Sequence, residues 1–162
     1  MGADFLEEIE RFLASFSADE HAALRCAFQA ILEGRPVTVA ALPGAAALAP
    51  AVADAAVRSL TARGVLVVEP ETGRIVGARG LSLTETPHRI TLDGRERYAF
   101  CAVDAVGIPA ALGGRATIES RCHHCGRPLR LTVERGAVTD APEGLVIWAV
   151  ERDLTRSLRA HT

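Results

Sequence analysis

Cys101 and Asp104 stand three positions apart in Tyr98-Ala99-Phe100-Cys101-Ala102-Val103-Asp104, where a strand-like run passes into a helical pattern. A cysteine at a helix start faces unpaired amides and the positive end of the helix dipole, which favour its thiolate. A residue three positions on shares that face, so Asp104 would lie within reach of the sulfur. A soft thiolate beside a carboxyl group can hold a soft metal and pass a proton to whatever the metal carries. Spacing alone fits a plainer reading better: a buried structural cysteine, with Asp104 at the surface.

The second cluster is Cys122-His123-His124-Cys125-Gly126. C-x-x-C followed by Gly matches a zinc knuckle, whose turn lets two sulfurs converge on one metal. A tetrahedral zinc or other soft-metal centre at Cys122 and Cys125 needs two more ligands. The candidates are Cys101, His88, His161, His123, His124 or a partner chain in a homodimer. Adjacent residues on a strand point to opposite faces, so at most one of His123 and His124 serves. The alternative is a partly exposed thiol pair open to reversible oxidation. Cys26, beside Leu24, Ala27 and Phe28, reads as core, and so do Trp148 and the ring of Tyr98. His21 and His161 read as solvated.

The elements that must position these groups follow from periodicity. Phe5, Leu6, Ile9, Phe12, Leu13 and Phe16 recur at helical spacing. Ser17-Ala18-Asp19-Glu20 has the form of a capping box, opening a helix that runs to about Glu33 and stops at Gly34. A short turn over Val39–Leu42, capped by Thr38, should break at Pro43-Gly44. A third helix spans about Ala51–Arg63, followed by strands at Val65–Val68 and around Ile75-Val76. Beyond residue 80 strands dominate: Arg89–Leu92 and Glu96–Phe100 flank Asp93-Gly94, a two-residue hairpin signal. Cys101–Leu112 reads as a helix ended by Gly113-Gly114. Further strands are expected at Ala116–Ser120, Leu129–Val133 and Leu145–Val150, and a helix at Glu151–Arg159. The fold class is α+β. Residues 1–80 form a three-helix winged-helix-like domain, and residues 81–162 a small mixed β-sheet domain with short helices.

Winged-helix order raises duplex binding, and charge argues against it. Residues 1–80 hold 7 Arg and 10 acidic residues, whereas DNA binding calls for a basic face. Nucleic acid is therefore not an expected partner. The 162 residues carry 18 basic groups, all arginine, against 20 acidic ones, and 49% are hydrophobic, which excludes a disordered chain. The most apolar stretch, about Ala45–Val57, is interrupted by Pro50 and Asp54 and is too short to span a membrane. Met1–Glu8 has no basic segment of a secretory signal, so a cytoplasmic location is expected. Closely spaced thiols in a reducing compartment point to metal or catalysis rather than to disulfides.

The run Gly80-Leu81-Ser82-Leu83-Thr84-Glu85-Thr86-Pro87-His88-Arg89, then Asp93-Gly94-Arg95, then Tyr98 to Asp104, resembles the central block of the organomercurial (alkylmercury) lyases. The likeness continues through Ile108-Pro109-Ala110, Gly113 and Arg115. It is weaker over Ile118–Cys122 and Gly126–Val133, and the helical front resembles that family's N-terminal domain. The resemblance implies protonolysis of carbon–mercury bonds in small organometallic substrates without a cofactor. Cys101 would be the first mercury-binding thiolate and Asp104 the proton donor, with Tyr98 close to the cysteine. The family's second catalytic cysteine lies in a segment beyond the matched region, which should begin about where the sequence reaches Leu158-Arg159-Ala160-His161-Thr162. A short member is therefore implied, in which another thiol acts or function has changed. The changed functions are binding of Zn, Hg or Cu through the C-x-x-C, or action on another small substrate.

Overall fold

The structure, a computed structural model, describes residues 3–147. Contacts divide these residues after Arg79 into two compact units. The first contains α1 (Ala3–Ala14), α2 (Ala18–Glu33), α3 (Leu42–Ala46), α4 (Pro50–Ala62) and the antiparallel strands β1 (Leu66–Val68) and β2 (Ile75–Ala78). Ala23, Leu24, Ala27 and Ile31 of α2 and Ala53, Ala56, Val57 and Leu60 of α4 are buried. Small alanines in both helices let their backbones approach closely around the larger leucines and isoleucine. Arg63 lies over the rings of Phe12 and Phe16, 4.7 and 4.0 Å from their centroids, a cation–π clamp on the end of α1.

The capping box is present in full. The Glu20 amide donates to Ser17 Oγ at 3.1 Å, and the Ser17 amide donates to Glu20 Oε2 at 2.7 Å. Gly34 closes α2 in the left-handed conformation, with φ 77°. Ser17→Ala should therefore cost roughly 1 kcal/mol of unfolding free energy, measured by urea titration. Pro43-Gly44 does not break the chain as expected: both lie inside α3. A proline in the first helical turn lacks only an amide that would have no partner there, so it starts a helix as readily as it ends one.

The second unit, Gly80–Ile147, holds β3 (Leu81–Ser82), β4 (His88–Leu92), β5 (Arg95–Ala99), α5 (Ala102–Leu112), β6 (Arg115–Arg121), β7 (Pro128–Glu134) and β8 (Ala137–Asp140). Its strands lie in the order β3-β5-β4-β6-β7-β8. Every pairing among them is antiparallel, where a mixed sheet was expected. The reason is topological. The crossover through α5 joins β5 to β6, which run in the same direction, but β4 lies between them and is antiparallel to both. Ile90, Leu92, Ala99, Ala116, Ile118, Leu131 and Val133 alternate onto one buried face, and α5 packs on β4, β5, β6 and β7. The opposite face carries the Arg89–Glu96 and Arg89–Glu119 ion pairs.

The hairpin at Asp93-Gly94 is a two-residue turn with φ 48° and 75°, the double left-handed geometry that Asp-Gly favours. Arg135-Gly136 makes the same kind of turn, φ 50° and 82°, into the unexpected edge strand β8. The strand expected over Leu145–Val150 is not formed in its described part, since residues 145–147 are irregular. The remainder of that strand and the helix expected at Glu151–Arg159 lie outside the described residues.

Candidate active site

Cys101 caps the N-terminus of α5 in extended conformation, φ −148° and ψ 173°. Its thiol donates to Asp104 Oδ2 at 3.0 Å, and its sulfur accepts the Asp104 amide at 3.5 Å. Only 9% of Cys101 is exposed, and Asp104 is partly buried beside it. Cys101 is buried, as the plainer reading has it, while Asp104 is partly exposed and in contact with the cysteine sulfur. One proton is shared between a soft sulfur and a hard oxygen. The helix start favours negative charge on either atom.

The pair is held by contacts distant in sequence. Leu81 pairs with Ala99 and Ser82 with Tyr98, which lays β3 along the strand leading into Cys101. The Phe100 amide donates to the Gly80 carbonyl at 2.7 Å, and Thr86 Oγ1 donates to the Ala99 carbonyl at 2.6 Å. Gly80 has φ +86°, and a Cβ built there would lie 2.3 Å from Asp104 Oδ1 and 2.4 Å from its Cγ. The Asp104 carboxyl group thus occupies the space where a side chain at position 80 would be. Ala105 and Pro109 are buried along α5 and seat the helix on the sheet. Gly80 as a positioning residue was missed in the sequence, because only the β3–β5 pairing brings it to Asp104.

The alkylmercury lyase (MerB) family profile matches residues 81–162. The chain belongs to the alkylmercury lyase family. The alkylmercury lyase of Streptomyces lividans is 39% identical over 132 residues, covering 81% of this chain and 59% of its own length. That of Bacillus cereus is 43% identical over 90 residues, covering 55% of this chain and 41% of its own length. The chain thus spans about two-fifths to three-fifths of these curated relatives. A crystal structure of the mercury-bound form of MerB2 superposes with a TM-score of 0.86 at 32% identity, over 93% of this chain and 73% of that one.

In this member of the alkylmercury lyase family the C-x-x-C forms the tip of the β6–β7 hairpin. The Cys122 amide donates to the Arg127 carbonyl at 2.9 Å and the Gly126 amide to the Cys122 carbonyl at 2.8 Å, with Gly126 at φ +72°. Hydrogen bonds from the Cys125 and His124 amides, and from the Cys125 thiol, hold the Cys122 thiol below the usual range. Cys125, His123 and His124 are exposed. Among the described residues no three His, Cys, Asp or Glu side chains come together as a metal cluster. Cys101 and His88 therefore do not complete a site with Cys122 and Cys125, and His161 and Trp148 lie outside the described residues.

The other candidates of the second unit have ordinary work. His88 Nδ1 lies 2.8 Å from Ser120 Oγ across the β4–β6 pair. Burial pushes His88 below its ordinary pKa of 6.5, so the folded chain keeps the ring neutral where the unfolded chain protonates it. The stability tied to His88 is full above that ordinary value and is lost as pH falls through the lowered folded value. His88→Gln should flatten this part of a pH series of urea melts. Tyr98 is not core. It lines an open groove of about 550 Å³ on the outer face with Arg89 and Glu119, and its hydroxyl donates to Glu96 Oε1 at 3.0 Å. In the helical unit His21 packs edge-on against Phe16, with ring centroids 5.6 Å apart, rather than standing in solvent. Cys26 is only partly buried, and that burial raises its thiol pKa.

Proposed function

We propose that this chain cleaves carbon–mercury bonds by protonolysis, with Cys101 as the mercury-binding sulfur and Asp104 as the proton carrier. The observation that carries the proposal is the 3.0 Å contact from the Cys101 thiol to Asp104 Oδ2. Mercury is soft and arrives as the organomercury adduct of a monothiol. The Cys101 sulfur replaces that monothiolate on mercury as the thiol loses its proton, and the monothiolate leaves. The carboxylate already hydrogen-bonded to that thiol is the nearest base for the proton. Donation from sulfur weakens the carbon–mercury bond and makes its carbon more basic. Asp104 then returns the proton to that carbon as the bond breaks, leaving a hydrocarbon, a carboxylate and Hg(II) held between Cys101 and a monothiolate that takes the place of the carbon. Charge balances at each step, and no cofactor is called for because the metal is part of the substrate.

The expected substrates are small organomercurials. A cytoplasmic setting suits a mechanism that begins from a reduced thiol. The helices-then-hairpin order of residues 3–79 suits a winged-helix-like packing domain, since the acidic excess of that half disfavours duplex DNA. The purified chain, given phenylmercury and excess monothiol, should release benzene above the thiol-only rate. Release no faster than thiol alone would reject the proposal.

A further inference from the structure

The hairpin tip between β6 and β7 carries chemistry that the Cys101–Asp104 pair does not use. Residues 122–127 reverse the chain between β6 and β7, and Gly126 takes the left-handed conformation that the reversal needs. The Gly126 amide donates to the Cys122 carbonyl at 2.8 Å, which closes residues 122–126 into a single turn with a cysteine near each end. Both cysteines stand on one short turn, braced by the Cys122–Arg127 backbone bond and by Arg121 Nη1 donating to the Gly126 carbonyl at 3.4 Å. Cys125 is exposed and Cys122 partly so, which leaves the pair open to ions from solution.

Ligand number decides which ion fits. Zinc in a structural site takes four ligands, and among the described residues no third His, Cys, Asp or Glu joins this pair. A soft d¹⁰ ion that favours linear two-sulfur coordination is satisfied by two thiolates alone. We propose that Cys122 and Cys125 form a second, dithiol site that binds Hg(II) and accepts the inorganic product of the reaction. The choice of mercury rests on the lyase reading; the two-coordinate site rests on the hairpin.

The transfer is a ligand exchange with no change of oxidation state. Mercury held between Cys101 and a monothiol moves to Cys122 and Cys125. Two sulfur–mercury bonds break and two form, and the protons of the two acceptor thiols pass to Cys101 and the released monothiol. A pre-arranged dithiol outcompetes free monothiols because its second sulfur binds at high effective concentration.

The test uses mercuric chloride with the full chain in a large excess of glutathione, followed by desalting and metal analysis. The Cys101→Ser variant should retain one equivalent of Hg(II) and show sulfur-to-mercury charge-transfer absorption. Cys101→Ser/Cys125→Ser should bind roughly 10²–10⁴-fold more weakly and retain none. Cys26 is present in both, so its contribution cancels, and matching circular dichroism shows that both fold. Equal retention by the two variants, or none by Cys101→Ser, overturns the dithiol site. Benzene release by the unsubstituted chain scores catalysis separately. Mercury retained without benzene release leaves the dithiol standing and removes the lyase; benzene released without retention does the reverse.

Discussion

Cys101→Ser is expected to bring benzene release from phenylmercury down to the thiol-only background while leaving the fold intact. A hydroxyl is a hard, weakly acidic ligand and does not hold a soft mercury centre against excess thiol. The variant should still fold, because serine is among the preferred N-cap residues and its oxygen can accept the Asp104 amide as the sulfur now does. An unchanged thermal midpoint beside lost turnover would place the effect in chemistry. Turnover at the unsubstituted rate would show that another thiol starts the reaction.

Gly80→Ala should lower kcat by about 10²-fold, the scale on which a misplacement of about 1 Å disables a catalytic group. The added methyl carbon would sit 2.3 Å from Asp104 Oδ1 and 2.9 Å from its Cβ, so the whole short side chain must move. Any move large enough to relieve that overlap takes Oδ2 away from the Cys101 thiol. The left-handed backbone at residue 80 adds a folding cost of about 1–2 kcal/mol for alanine, seen as a lower urea midpoint. Because Cys101 is untouched, phenylmercury should still bind. A fall in kcat with little change in KM marks Gly80 as a positioning residue. A variant that is destabilised yet keeps full kcat would show that Asp104 tolerates the displacement.

What the sequence revealed depended on how local the signal was. The Ser17/Glu20 box, the Asp93-Gly94 turn and the start of α5 at Cys101 each depend on residues within four positions, and each stands where expected. The proximity of Cys101 and Asp104 follows from the first turn of a helix. That this turn sits on the sheet with the carboxyl group over Gly80 does not, because it needs β3 paired to β5. Edge strand β8 lacked the alternating apolar pattern, for all four of its residues are exposed; its one clue was Arg135-Gly136. Leu145-Val146-Ile147 had the apolar run of a strand, and a run that short does not by itself distinguish a strand from other structure. The knuckle was legible as a motif. Only the structure shows that its sulfurs have no third ligand among the described residues.

The shared proton between Cys101 and Asp104 is tested most directly by Asp104→Asn in a single turnover with phenylmercury, following both headspace benzene and the intact protein mass. The amide cannot accept the thiol proton or deliver it to carbon. Phenylmercury should therefore remain attached at Cys101 as a stable adduct, with benzene appearing about 10²–10⁴-fold more slowly than from the unsubstituted chain. Benzene released at the unsubstituted rate, with no adduct accumulating, would contradict Asp104 as the proton carrier.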